Sequence, residues 1–245
     1  MNQRYTAESV TEGHPDKLCD IIADSVLDEC LAHDALSRVA CEALATRGNI
    51  VVAGEITSSY EPPIPGIIHS VLQKVGYDPA RYAIHSFVHK QSPDIAAGVE
   101  YSLECRRNFS EDQPALQLGA GDQGVMVGYA CSETPQMMPL SVVLAHQLTN
   151  ALTIARKSGT IQGLRPDGKA QVTVEYGEDG KPLRLDAVVL SAQHSPEKPM
   201  DELCWALTDA VLIPALQALP PDENTKILLN PSGRFVLGGP EADTG

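Results

Sequence analysis

Basic residues are in short supply. The chain of 245 residues has 18 Lys and Arg against 32 Asp and Glu, a formal charge of −14. A surface that acidic disfavours nucleic acid and anionic membranes, so neither is expected as a partner. Any phosphate site must be local, built from a few cations, backbone N–H groups or a metal. No apolar run approaches the length of a membrane span, and no signal-peptide core follows Met1-Asn2-Gln3-Arg4. The six cysteines, Cys19, Cys30, Cys41, Cys105, Cys131 and Cys204, include no C-x-x-C pair, and the seven histidines no H-E-x-x-H. Buried, reduced thiols in a cytoplasmic protein are expected, rather than disulfides or zinc. Nor is there a nucleophilic Ser or Cys constellation. Hydrophobic residues are plentiful at 43%, enough for a sizeable core in one large domain or two smaller ones.

Apolar periodicity predicts a helix opening at Pro15-Asp16 with Leu18, Ile21, Ile22, Val26, Leu27 and Leu31 on one side. Pro suits the first helical position and Asp the positive end of the dipole. Arg38–Leu44 and Asn49–Thr57 read as a β-hairpin about Gly48-Asn49. Ile67, Ile68, Val71, Leu72 and Val75 mark a second helix, stopped by Gly76. Tyr82–His89 is a third strand. Gln91 to Gln113 lacks a pattern and reads as a long loop. Beyond it, Gly119–Gly124 leads into a strand at Val125–Ala130. A helix at Leu140–Lys157 follows, then a hairpin of Ala170–Tyr176 and Leu183–Leu190. Met200–Leu219 is mostly helix, kinked or ended by Pro214. Lys226–Leu229 and Arg234–Leu237 are short strands. The order of elements echoes itself once, which implies an α+β fold of two similar sheet-plus-helix layers. The turn-like finish at Gly238–Gly245 suggests that the chain stops short of a natural end.

Five segments could carry chemistry. Gly13-His14-Pro15-Asp16-Lys17 places His, Asp and Lys at a helix N-terminus, where free N–H groups favour an anion and Asp16 could share Mg²⁺ with phosphates. The plainer reading is a helix cap with a solvated lysine. Gly119–Gly124 is literally G-x-G-x-x-G, but a dinucleotide fingerprint needs a helix to start there. A strand at Val125 would exclude that oxidoreductase reading. Either the glycines make a turn, or they place Asp122 beside a ligand.

A two-residue turn at Gly48-Asn49 sets Glu42 directly opposite Glu55. At about 5 Å two carboxylates repel by roughly 0.8 kcal/mol in water and roughly 3 kcal/mol at an effective dielectric of 20. A monovalent cation or a substrate ammonium would relieve them, whereas a one-residue slip would part them onto opposite faces. Arg165–Lys169 and Ser232–Phe235 are turns on the plainer reading. On the functional one they offer Lys169 to phosphate, Asp167 to a ribose hydroxyl, and Arg234 with Phe235 to an adenine.

Together these segments resemble S-adenosylmethionine synthetase. The matching stretches are Glu8–Lys17 (ESVTEGHPDK), Gly54–Thr57 (GEIT), Gln91–Ile95 (QSPDI), Gly119–Gly124 (GAGDQG), Leu164–Lys169 (LRPDGK), Asp186–His194 (DAVVLSAQH) and Asn230–Gly239 (NPSGRFVLGG). They occur in family order along the whole chain. The resemblance implies that methionine sulfur attacks C5′ of ATP in line, and that the displaced triphosphate is cleaved to pyrophosphate and phosphate. Catalysis is then positioning and charge neutralisation, without a covalent enzyme intermediate.

The resemblance implies roles at matching positions. His14 and Lys169 are catalytic, near the triphosphate. His14, Asp167, Lys169, Arg234, Phe235 and Asp243 contact ATP. Glu55, Gln91, Asp122 and Asp243 contact methionine. Asp16 holds Mg²⁺ and Glu42 holds K⁺. The implied fold is α+β, with similar subdomains in a pseudo-threefold arrangement and the third largely missing here. Residues 1–95 form an N-terminal segment, 96–113 a mobile active-site loop, 114–228 a central segment and 229–245 the start of a C-terminal one. The partners implied are ATP, L-methionine and a second copy of the chain, packed through flat sheet faces with the site shared between subunits. The chain ends before the family's next cationic segments. A catalytically incomplete fragment that only binds nucleotide or associates with partner subunits is the alternative.

Overall fold

A computed structural model describes residues 3–99, 102 and 125–245. In chain order the elements are β1 (Gln3–Val10), α1 (Pro15–His33), β2 (Arg38–Thr46), β3 (Asn49–Thr57), α2 (Ile64–Val75), β4 (Ala83–His89), α3 (Pro93–Val99), α4 (Leu140–Lys157), β5 (Leu164–Tyr176), β6 (Pro182–His194), α5 (Met200–Leu207) and β7 (Lys226–Leu229). Among the described residues the strands make two sheets, ordered β1-β5-β6-β7 and β2-β3-β4.

Each sheet buries one face under two helices. Leu18, Ile22, Val26 and Cys30 recur every four residues along α1 and are wholly buried. With Ile68 and Leu72 of α2 they cover Ile50 and Val52 of β3. The second core repeats this plan with Leu144, Leu148 and Leu152 of α4, Leu203 and Leu207 of α5, and Val172, Val174, Val188 and Leu190 beneath. Each such side chain contributes roughly 1.5–3 kcal/mol by leaving water. α5 widens over Thr208–Leu212 and gives out at Ala215. Pro214 lacks the N–H that a further helical turn requires.

The two layers are stitched together by exchange. β1 precedes the first layer in the chain yet pairs antiparallel with β5 of the second, Tyr5 opposite Val174 and Val10 opposite Lys169. In return, Gly245 exchanges both backbone hydrogen bonds with Ala45 on the open edge of β2.

The hairpin register differs from the expected one. The turn residues are Arg47-Gly48, so Thr46 pairs with Asn49, Glu42 with Ala53 and Glu55 with Ala40. Gly48 takes the positive φ, whereas Asn49 joins the strand and donates its side-chain amide to Arg47 O. Moving the turn by one residue shifts the pairing by two, so Glu42 and Glu55 keep one face but stand diagonally. At a diagonal separation of about 7–8 Å the repulsion in water falls to roughly 0.6 kcal/mol, too small to demand a cation. Glu55 is instead 3.3 Å from His89 of the neighbouring strand.

Five other expectations change. β1 was not expected. The stretch after Gln91 opens with α3, capped by Ser92 Oγ accepting from Ile95 N. Val125–Ala130 is not a strand. Val125, Met126 and Val127 are about 90% exposed, and among the described residues no strand lies beside them to complete a ladder. Arg234–Leu237 is not a strand either, although Phe235 exchanges hydrogen bonds with His194. The Arg165–Lys169 turn is instead the irregular start of β5. Among the described cysteines all are free thiols, and burial pushes Cys19 up to about 11. Cys105 lies outside the described residues.

Asn230 fastens the chain after β7. Its amide accepts from Ala192 N at 2.8 Å and donates to Ala192 O at 3.0 Å, standing in for a strand partner at a buried position. Alanine there would leave both backbone groups unpaired. The expected loss is about 2–3 kcal/mol in urea unfolding, and a loss below about 0.5 kcal/mol would mean that water replaces the amide.

Candidate active site

The predicted helix N-terminus is built as expected. α1 starts at Pro15, and His14 caps it by accepting the Asp16 N–H at Nδ1, 3.3 Å away. An accepting Nδ1 leaves the ring proton on Nε2, which suits His14 to donate to a developing anion. The turn before it is pinned from three elements. Thr11 donates through N to Gly168 O at 2.9 Å and through Oγ1 to Pro166 O at 2.7 Å. Tyr77 donates to Gly13 O at 2.6 Å. Glu12 meets Arg156 and Lys157 at the end of α4.

Asp167 lies behind this turn, buried at 7% exposure. Its Oδ2 accepts from Gly239 N at 2.7 Å. Burial pushes its carboxyl above the usual range, and Asp243 pushes the same way, while the Gly239 N–H and His14 oppose them. His14, Asp167 and Asp243 therefore share one electrostatic neighbourhood. Gln193 links it to the Phe235 segment, accepting from Asp167 N and donating to Val236 O. His194 Nε2 accepts from Phe235 N, so its proton sits on Nδ1, facing Ser195 O. The segment runs on over the first turn of α1, where a Cβ on Gly245 would fall 2.5 Å from Asp16 N.

The predicted cations are partly engaged. Lys169 pairs with Glu8 on the exposed face of the β1-β5 sheet. Lys17 donates to Val10 O at 2.6 Å and so turns back toward β1. There it lines a cavity of about 580 Å³ with His146, Met138 and Thr149, which holds none of the residues implied by the resemblance. Arg234 is exposed.

Among the described residues no three His, Cys, Asp or Glu gather into a metal cage. Asp16, an exposed hard donor at the positive end of α1, fits Mg²⁺ that arrives on a polyphosphate, since that ion keeps waters and needs only one or two carboxylates. Glu42 shares an open sheet face with Glu55 at a diagonal, and among the described residues no third His, Cys, Asp or Glu joins them into a cage.

Of the residues implied for methionine, Asp243 belongs to the His14 and Asp167 neighbourhood, whereas Glu55 lies elsewhere. Glu55 is five residues along β3 from Ile50, the partner of Ala45, which in turn holds Gly245. That is about 16 Å of strand. Gln91 follows the end of β4, half-buried. Asp122 and Gly119–Gly124 lie outside the described residues. Tyr77, Gln193, Glu12 and Arg156 were not singled out from the sequence. Only the Glu in T-E-G-H-P-D-K could have signalled itself, as a charge beside a site motif.

Two family models match the chain. That of the S-adenosylmethionine synthetase N-terminal domain covers residues 2–93, and that of the central domain covers residues 117–235. Together they take in most of its length. The chain belongs to the S-adenosylmethionine synthetase family. Its α+β fold of two recognised domains follows the matched boundaries except at β1, which by chain belongs to the first domain and by pairing to the second sheet.

Proposed function

We propose that this chain serves the synthesis of S-adenosylmethionine from ATP and L-methionine, with the triphosphate over the N-terminus of α1. The observation that carries this reading is the convergence of His14, Asp167 and the 239–243 segment at one helix start. The positive end of the α1 dipole faces the triphosphate, and the Nε2–H of His14 donates to the oxygen that leaves C5′. Asp167 is fixed by Gly239 N–H as an acceptor for the nucleotide, with Arg234 and Phe235 on the adenosine side. Lys169 exchanges Glu8 for phosphate. Mg²⁺ at Asp16 would neutralise polyphosphate charge. These groups stabilise the leaving triphosphate while the methionine sulfur attacks in line.

Glu55, Gln91 and Asp122 are the methionine-facing groups. The 16 Å or so of strand separating Glu55 from the α1 end supports a site completed between two copies of the chain, meeting through the open sheet faces. Magnesium, potassium, dimerisation and a cytoplasmic setting are part of this reading.

The engagement of Lys17 with Val10 and of Lys169 with Glu8 supports a second reading, in which this chain binds nucleotide without turning it over. Mass spectrometry on the chain mixed with ATP, methionine, Mg²⁺ and K⁺ separates the two. Product that vanishes in Glu55→Ala is the expected result. ATP binding without product would favour the second reading, and neither binding nor product would sink both.

A further inference from the structure

His14 belongs to the first domain and Asp167 with Lys169 to the second, so their alignment depends on what ties the turn at 11–14 to the second domain. Thr11 and Tyr77 hold that turn through neutral hydrogen bonds. Glu12 holds it through charge. Its Oε1 accepts from Arg156 Nη2 and its Oε2 from Lys157 Nζ at 2.8 Å, two consecutive cations in the last turn of α4. The Arg156 and Glu12 side chains are only 14% and 20% exposed. The guanidinium also lies against the end of α2, where a Cβ on Gly76 would fall 2.8 Å from Arg156 Nη1. Three elements thus meet at one carboxylate, two residues before His14, and both helix ends present partial negative charge that favours the cations. Charge-assisted bonds to both carboxylate oxygens fix direction as well as distance, which the neutral contacts do less firmly.

We infer that Glu12, gripped by Arg156 and Lys157, is the positioning residue that sets the His14 turn against β5, an inference that rests on reading His14, Asp167 and Lys169 as triphosphate-facing. Both cations are taken up by Glu12. Their effect passes through the turn.

The test is amide hydrogen exchange on the whole chain and on Glu12→Gln, Arg156→Met and Arg156→Lys, together with titration by inorganic tripolyphosphate and Mg²⁺. Glu12→Gln and Arg156→Met are expected to lose about tenfold or more of the protection at the His14 and Asp16 amides, with β3 and β6 amides unchanged. Tripolyphosphate should bind about tenfold more weakly to both, and Arg156→Lys should recover protection and affinity alike. Unchanged protection at His14 and Asp16 would overturn the inference. So would an equal loss across both sheets, or an Arg156→Lys variant that behaves like Arg156→Met. If the unaltered chain binds no tripolyphosphate, the phosphate reading falls, and the exchange pattern alone decides whether Glu12 positions the turn.

Discussion

Alanine at Gly13 is expected to lower stability by about 3–5 kcal/mol, the range of a backbone forced out of a packed site, and to abolish nucleotide binding. A Cβ there would lie 2.4 Å from Pro166 C and Cβ and 2.5 Å from Pro166 O. None of these is the movable tip of a side chain, so the turn or β5 must withdraw. Withdrawal strains the Thr11 bonds to Pro166 and Gly168 and the Tyr77 bond to Gly13 at once. Urea unfolding followed by circular dichroism measures the loss. A change below about 1 kcal/mol would mean that the turn backs away freely and does not depend on β5 for its place.

Asparagine at Asp167 is expected to move stability and binding in opposite directions. Burial raises the Asp167 carboxyl above its unfolded value, so the folded state favours the protonated form. The stability this gives is present at pH below the unfolded carboxylate range, about 3.9, and is lost as pH rises through the higher folded value. At pH 7 the fold must therefore either hold a buried charge or take up a proton that the unfolded chain does not, a cost that an amide would remove. The amide oxygen can still accept from Gly239 N. A gain of about 1 kcal/mol is expected at pH 7, shrinking below about pH 4, where the native side chain is protonated in both states. Nucleotide affinity should fall about tenfold or more, because a carboxyl kept in an unfavourable place serves binding rather than folding. Thermal unfolding at pH 7 and pH 3.5, with ATP titration, tests both halves. A lower melting temperature at pH 7 would show that His14 and the Gly239 N–H outweigh burial.

α1, α2, α4 and α5 were legible because each carries its own stripe. A buried residue every third or fourth position declares a helix whatever lies across from it. β1 did not declare itself. Its inward residues include Ala7 and Ser9, and Ser9 meets His146 and Thr149 of α4 through hydrogen bonds. A strand that buries small and polar side chains shows no alternation to read. The hairpin was legible as a hairpin, but its register turned on whether Gly48 began or ended the two-residue turn, a choice one residue wide with a two-residue consequence. At the site, His14 could be placed because a helix start is a local event. Tyr77, Gln193 and Arg156 could not, since each acts on a residue more than twenty positions away.

The sequence by itself determined the α+β class, the helix N-terminus at His14-Pro15-Asp16 and the family, because these reside in local pattern and in short motifs. Only the tertiary structure decided which sheet β1 joins, that the 239–245 segment returns over α1 to the edge of β2, and that Asp167 is buried between them. Those outcomes depend on pairing and burial between segments some seventy or more residues apart, and the free energy of such contacts is not encoded in any one of them alone.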